Sequence, residues 1–275
     1  MSSRTAIALV LICMLSLSVV GCGSSKSADT AANSPEKKSI TVGTSPIFKD
    51  ILTAAKEDFD KDGYVLNIKV FDDLVTPNIA LQEGSIEANV YQHGPYLEQF
   101  NQNKGTNLAP YNGGIVKYFM GVFSKKIKNI NDLPAGATIS VPNDPSNRSR
   151  ALKVLQTNGL IKLKDGVAMP TKLDIVENKK NLNIVEMDVM KLVSSLDDVD
   201  CSTINSVIAV QGNVDPKSAI ALEDKAESDK YSIVIAVKKD QQLDKNIARL
   251  ETALKSDKVK KFLEEKYKGA IVPLF

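Results

Sequence analysis

From Ser39 onward, short β-branched runs alternate with longer segments of helical periodicity, and this rhythm narrows the fold more than any other feature of the chain. Ser39–Thr44 reads as a strand. The spacing of Ile51, Leu52, Ala55 and Phe59 predicts a helix over 48–61 with one apolar face, closed by Asp62-Gly63. Residues 65–71 read as the next strand. A helix over 76–84 follows, with Pro77 in its first turn and Gly84 as its stop. A short strand at 88–91 and a helix at 95–105 continue the series. Strand and helix in that order imply parallel pairing with crossover helices, an α/β architecture.

The pattern then restarts. Residues 118–124 form an apolar run ending in Lys125-Lys126, and residues 231–237 form another ending in Lys238-Lys239. Between them lie expected strands at 138–141, 172–176 and 184–187, helices at 149–158 and 189–196, and a strand with a following turn over 199–210. Two such apolar runs could carry the chain from one lobe to another and back. The expected organisation is a first lobe of residues 39–123 and 230–275 and a second of 124–229, joined by two crossover strands. The C-terminal helices, 244–254 and 259–267, would pack on the first lobe. The lysines of 258–268 read as the solvated face of an amphipathic helix. A ligand would sit in the cleft between lobes, outside the carboxyl ends of strands.

Ahead of this body stand Arg4, an apolar stretch over 6–20, and Cys22. A positive start, an apolar middle and a small residue before a processing point describe a secretory signal. The stretch is short of the roughly 20 residues a membrane span needs. Its end resembles a bacterial lipobox, in which the cysteine sulfur is acylated and the chain is cut just before it. Residues 1–21 are therefore expected to be removed, with Cys22 lipid-modified and residues 22–38 serving as a flexible tether. The tether reading rests on a Ser-, Ala-, Lys- and Asn-rich composition with almost no large apolar side chain. The mature protein would be lipid-anchored to the cell membrane on its extracytoplasmic face.

Composition excludes several classes. The chain carries 35 Lys and Arg against 33 Asp and Glu. Arg4 is the one charged residue ahead of Cys22, so the mature chain stays near neutrality. Nucleic acid, which needs clustered basic surface, is not an expected partner. With Cys13 in the signal and Cys22 as the lipid site, Cys201 stands alone and reads as a half-buried strand cysteine. His93 is the single histidine, and the common hydrolase, metalloprotease and phosphate-loop motifs are missing. One histidine and one thiol do not make a usual zinc set. No catalytic residue, metal or cofactor is expected. The acidic pairs Asp72-Asp73 and Asp197-Asp198 read as caps and turn formers.

Two segments concentrate unusual residues. Tyr91-Gln92-His93-Gly94-Pro95-Tyr96 follows a strand and precedes a helix, where its aromatics could surround an apolar or sulfur-containing side chain. Core packing with a turn is the alternative. The run from Pro142 to Arg150 joins a strand to a helix and would present backbone N–H groups to an anion. An arginine there can clamp a carboxylate, although Asn, Asp and Ser are also ordinary helix caps.

With the lipobox, these segments make the chain resemble the NlpA/MetQ-type lipoproteins, the methionine-binding components of ABC importers. The resemblance covers nearly all of residues 39–275. It is carried by Val75-Thr76-Pro77-Asn78-Ile79-Ala80-Leu81, Gln92-His93-Gly94-Pro95-Tyr96-Leu97, Phe123-Ser124-Lys125-Lys126-Ile127 and Val141-Pro142-Asn143-Asp144-Pro145-Ser146-Asn147. Further matches run from Gly159 to Gly166 and through Val176-Glu177-Asn178. It implies a two-lobe, type II periplasmic-binding-protein fold that closes on a free amino acid, methionine or a relative, and delivers it to an ABC permease in the membrane. It further implies that Arg150, with Asn147 beside it, grips the substrate carboxylate. Asn205 would bind the head group, and Tyr91, His93 and Tyr96 would surround the thioether. The chain departs from the family pattern at Leu74, at Tyr91, at Ser206-Val207-Ile208-Ala209 and at the extra charge of Arg148. Another amino acid or a dipeptide as ligand, or a non-transport envelope lipoprotein, are the alternative readings. An envelope hydrolase lacks a nucleophile–base pair.

Overall fold

The helical face read from 48–61 folds as expected. In the computed structural model, which describes residues 38–242 and 244–275, the helix spans Lys49–Phe59 and buries Ile51, Leu52, Ala55 and Phe59. The readings of the signal, of Cys22 and of the tether up to residue 37 lie outside the described residues.

In chain order the elements are β1 (Ser39–Thr44), α1 (Lys49–Phe59), β2 (Val65–Val70), α2 (Thr76–Glu83), β3 (Ala88–His93), α3 (Gly94–Lys104) and β4 (Leu108–Tyr118). Then come β5 (Met120–Phe123), β6 (Thr138–Pro142), α4 (Pro145–Thr157), β7 (Lys162–Leu163), β8 (Ile175–Glu177), β9 (Asn183–Met187), β10 (Cys201–Asn205) and α5 (Ser206–Gln211). The chain closes with β11 (Ala221–Leu222), α6 (Lys225–Ser228), β12 (Ile233–Lys238), α7 (Lys245–Leu254), α8 (Asp257–Tyr267) and β13 (Ile271–Pro273). Gly84, in the left-handed region, ends α2 as the sequence indicates, and Gly105, also left-handed, caps α3 just past its last residue.

A six-stranded sheet has the order β13-β4-β12-β3-β1-β2, and a five-stranded sheet the order β11-β5-β10-β6-β9. β1 pairs parallel with β2 and β3, and β6 pairs parallel with β9 and β10. The strands that come late or return pair antiparallel: β12 with β3 and β4, β13 with β4, and β10 with β5. α1, α7 and α8 pack their apolar faces on the first sheet, and one core runs from there to Val189, Leu192, Ile204, Val207 and Ile208 beside the second. A separate core, around Ile139, Leu152, Leu155 and Cys201, lies wholly under the second sheet.

Four local differences bear on the site. The apolar run 118–124 is two strands divided at Phe119, with β4 in the first sheet and β5 in the second. Met120–Phe123, assigned from sequence to the first lobe, thus pairs with β10 and β11. α4 starts at Pro145, four residues before the expected 149, because the Asp144 carboxylate accepts from the Asn147 N–H and Pro145 suits the first turn. The expected cleft loop after 91 is strand as far as His93, with helix from Gly94. The turn expected after the Cys201 strand is the short helix α5, and Cys201 is fully buried rather than half-buried.

Candidate functional site

β3 is central in its sheet, so all six of its residues are buried and its polar side chains must find partners within the protein. His93 ends the strand and caps α3, its Nδ1 accepting the Tyr96 N–H at 3.1 Å. That contact leaves the proton on Nε2, which reaches Asn147 Oδ1 at 3.2 Å. Asn205, at the end of β10, donates from Nδ2 to the same oxygen at 3.3 Å. Asn147 donates its own amide to the Asp144 carboxylate at 3.1 Å. Three residues from three elements, two of them on the second sheet's side, are thus tied to one oxygen. Burial, then the charge of Arg150, push the His93 imidazole down to about 3 against the pull of Asn147, so it is neutral at physiological pH.

Beside this cluster a narrow cavity lies between the sheets. Its empty volume, open mouth included, is about 410 Å³. Tyr91, His93, Tyr96, Asn147 and Asn205, all expected site residues, line it. So do Ser45, Tyr118 and Gln92, together with Leu74, Phe48, Val189 and Ile208. Asn205 Oδ1 and Ser45 Oγ are buried with no hydrogen-bond partner. One acceptor and one hydroxyl are thus free in a lining that mixes aromatic and aliphatic side chains with Gln92, His93 and Asn147.

Arg150 is placed differently from its expected position. It is fully buried, and Tyr118, which lines the cavity, stands over its guanidinium at 5.2 Å from the ring centroid. Tyr231 covers it at 4.1 Å. Nε and Nη2 donate to the two Glu223 oxygens at 2.8 and 2.6 Å, and Nη2 also reaches the Tyr118 carbonyl at 2.8 Å. Only Nη1 lacks a partner. The two-point grip the sequence reserves for a ligand is therefore held by Glu223, which also accepts the Met120 N–H at 2.7 Å. Arg148, the extra charge, points elsewhere and pairs with Glu186 at 3.1 Å.

Glu223 is the main residue that sequence reasoning missed. It lies 73 positions from Arg150, in a segment with no motif, and nothing in the spacing of residues could have paired them. Tyr118 and Tyr231 were read as ordinary strand residues for the same reason. Behind the wall, Asn78, Asn89 and Gln92 form a buried amide triangle: Gln92 Nε2 donates to Asn78 Oδ1 at 2.6 Å and to Asn89 Oδ1 at 2.8 Å, and Asn78 returns a bond to Gln92 Oε1 at 2.8 Å. The Pro77-Asn78 pair in the quoted sequence run was its visible sign. Among the described residues, no group of three or more His, Cys, Asp or Glu side chains is placed to hold a metal.

A family model described as NlpA lipoprotein matches residues 40–275. The chain belongs to the NlpA lipoprotein family. The chain is 38% identical over 261 residues to the D-methionine-binding lipoprotein MetQ of Escherichia coli (strain K12), covering 94% of this chain and 93% of that one. Among solved structures, a nutrient binding protein from Burkholderia cenocepacia bound to methionine superposes with a TM-score of 0.79 at 39% identity, over 86% of this chain and 100% of that one. An ABC transporter periplasmic substrate-binding protein from Coxiella burnetii gives 0.80 at 36% identity, over 85% and 99%. The fold is thus that of the periplasmic substrate-binding proteins, as the resemblance implied, and its α/β class is the one the alternation of elements indicated. These relatives are binding proteins. Among the described residues of this chain, no helix is long and apolar enough to cross a membrane.

Proposed function

We propose that this chain is the substrate-binding lipoprotein of an ABC importer, which captures free methionine between its lobes and hands it to a membrane permease without chemistry on the ligand. The observation that carries this is the set of buried polar atoms without partners. Asn205 Oδ1 and Ser45 Oγ belong to residues that line the cavity, and Arg150 Nη1 to the guanidinium whose carbon lies 5.2 Å from the ring centroid of Tyr118, itself a lining residue. An acceptor for an ammonium, donors for a carboxylate and an aromatic and aliphatic wall for the tail complement a zwitterion with an apolar side chain. The methionine-binding relatives support the same substrate.

In this reading Arg150 Nη1 and Asn147 hold the carboxylate side, Asn205 the ammonium, and Tyr91, His93 and Tyr96 enclose the thioether. The two lobes are those built on the first and the second sheet, divided at Phe119 and not after residue 123, and they close by hinge motion. Cys22 carries the lipid that holds the protein on the extracytoplasmic face of the cell membrane. The protein is a receptor and not an enzyme.

Calorimetric titration of the full chain in detergent, unfolded and refolded to strip any carried ligand, tests the proposal. Selective binding of D- or L-methionine is expected. Tight binding of another amino acid or a dipeptide would reassign the substrate while keeping the mechanism. No binding, or turnover of amino-acid amides, would overturn the receptor reading.

A further inference from the structure

The tail side of the cavity contains a contact that the methionine reading does not use. Tyr91 and Tyr96 both donate their hydroxyl protons to one acceptor, the backbone carbonyl of Leu74, at 2.7 and 2.9 Å. The rings meet edge to face at 6.3 Å between centroids. Tyr91 leaves β3 and Tyr96 the first turn of α3, whereas Leu74 belongs to the connection between β2 and α2. All three residues line the cavity. A carbonyl oxygen has two lone pairs, so this one is saturated by the two phenols.

The connection is held at its other side too. Asp73 Oδ1 accepts the N–H groups of Val75 and Thr76, both at 2.7 Å. Leu74 is partly buried and packs on the main core, whereas Asp72, Asp73, Val75 and Thr76 around it are exposed, so the two phenols are what tie the backbone of this turn to β3 and α3.

We propose that the Tyr91–Leu74–Tyr96 contact is the specificity latch of the site. It pins the Leu74 side chain as the end wall of the tail slot. It also consumes both phenol protons, so that neither tyrosine offers a donor to the ligand. The slot then selects by length, admitting an unbranched tail that stops at Leu74 and rejecting one a methylene longer. One methylene in an apolar pocket is worth roughly 10–200-fold in selection. The length selection rests on the methionine reading above; the pinning of Leu74 does not.

The test uses the full chain, Tyr91→Phe, Tyr96→Phe and the double variant, which keep the rings and remove the hydroxyls. Two readouts are taken: calorimetric affinities for L-methionine and L-ethionine, and amide exchange of residues 72–76 without added ligand. The wild-type chain is expected to prefer methionine at least about tenfold. In the double variant the preference should narrow to about threefold or less, and exchange in 72–76 should rise about tenfold or more; each single variant, which keeps one bond, should fall between. Unchanged exchange in the double variant overturns the latch. Faster exchange with an unchanged preference overturns its role in selection. If the wild-type chain binds neither amino acid, the methionine reading falls with the selection, and the exchange measurement alone decides whether the hydroxyls pin Leu74.

Discussion

Arg150 and Glu223 meet in a two-point ion pair whose side chains are 0% and 2% exposed. Removing one partner strands a charge in the interior, which costs about 3–5 kcal/mol, whereas replacing both with apolar residues of similar volume is often near neutral. Glu223→Ala and Arg150→Ala should therefore each lower the denaturation midpoint strongly, and Arg150→Met with Glu223→Leu should recover most of the loss. Ligand affinity should behave otherwise. Every variant without the guanidinium should bind about 2–5 kcal/mol more weakly, the cost of an unpaired carboxylate. A refolded Arg150 variant that binds like wild type would return the pair to a purely structural role.

The neutral state of His93 has a stability consequence with a definite sign. The folded chain refuses a proton until about pH 3, while an unperturbed histidine takes one near 6.5. The unfolded state therefore binds the extra proton between those values, and stability falls as the pH is lowered through that window. The contribution is fully present above 6.5 and flat there. His93→Asn keeps a side chain able to cap α3 and does not titrate. Denaturant unfolding from pH 7.5 to 3.5 should show a steeper loss in wild type than in this variant. Equal slopes would mean that His93 takes its proton in the folded chain as readily as in the unfolded one.

The amide triangle should resist an apolar replacement of matching shape. Gln92→Met leaves Asn78 and Asn89, both 0% exposed, with unmet hydrogen bonds. A cost of about 1–3 kcal/mol is expected from that loss. Urea denaturation measures it, and a Gln92→Met/Asn78→Leu pair should cost less than the sum of its two single losses if the triangle acts as one unit.

Cys201 gives a check on the second sheet. Burial, and after it the charge of Asp200, push the thiol up to about 12. In a soluble form beginning at Ser39, a thiol reagent at pH 8 should label nothing in the native state and one group after denaturation. Rapid native labelling would show β10 opening far more readily than its core position allows.

Much of this was legible in the sequence because it is local. The face of α1, the glycine stop of α2 and the alternation of strand and helix depend on residues within a few positions of one another. The cavity residues Tyr91, His93, Tyr96 and Asn147 were legible because unusual residue types cluster in two short runs. What was hidden is non-local. Glu223 looks like any exposed acid until folding brings it to Arg150. The break at Phe119 is invisible in an unbroken apolar run, since the two sheets that divide it are assembled from strands far away. The early start of α4 was a misjudged cap: Asp144-Pro145 carries the helix start that was placed at Ser149.

That break at Phe119 also constrains how the molecule can move. The chain passes from one sheet to the other with a single residue between β4 and β5, and returns between Leu222 and Ile233 over a longer stretch that contains α6. One residue spans about 3.8 Å between Cα atoms and stores no slack. The neighbouring Tyr118 carbonyl and Met120 N–H are themselves bonded to Arg150 and Glu223. One side of the molecule is thus a fixed pin and the other a compliant strap. Sliding of one sheet past the other would strain that pin, so the hinge closure proposed above would be a swing about Phe119 that carries the charge pair with it.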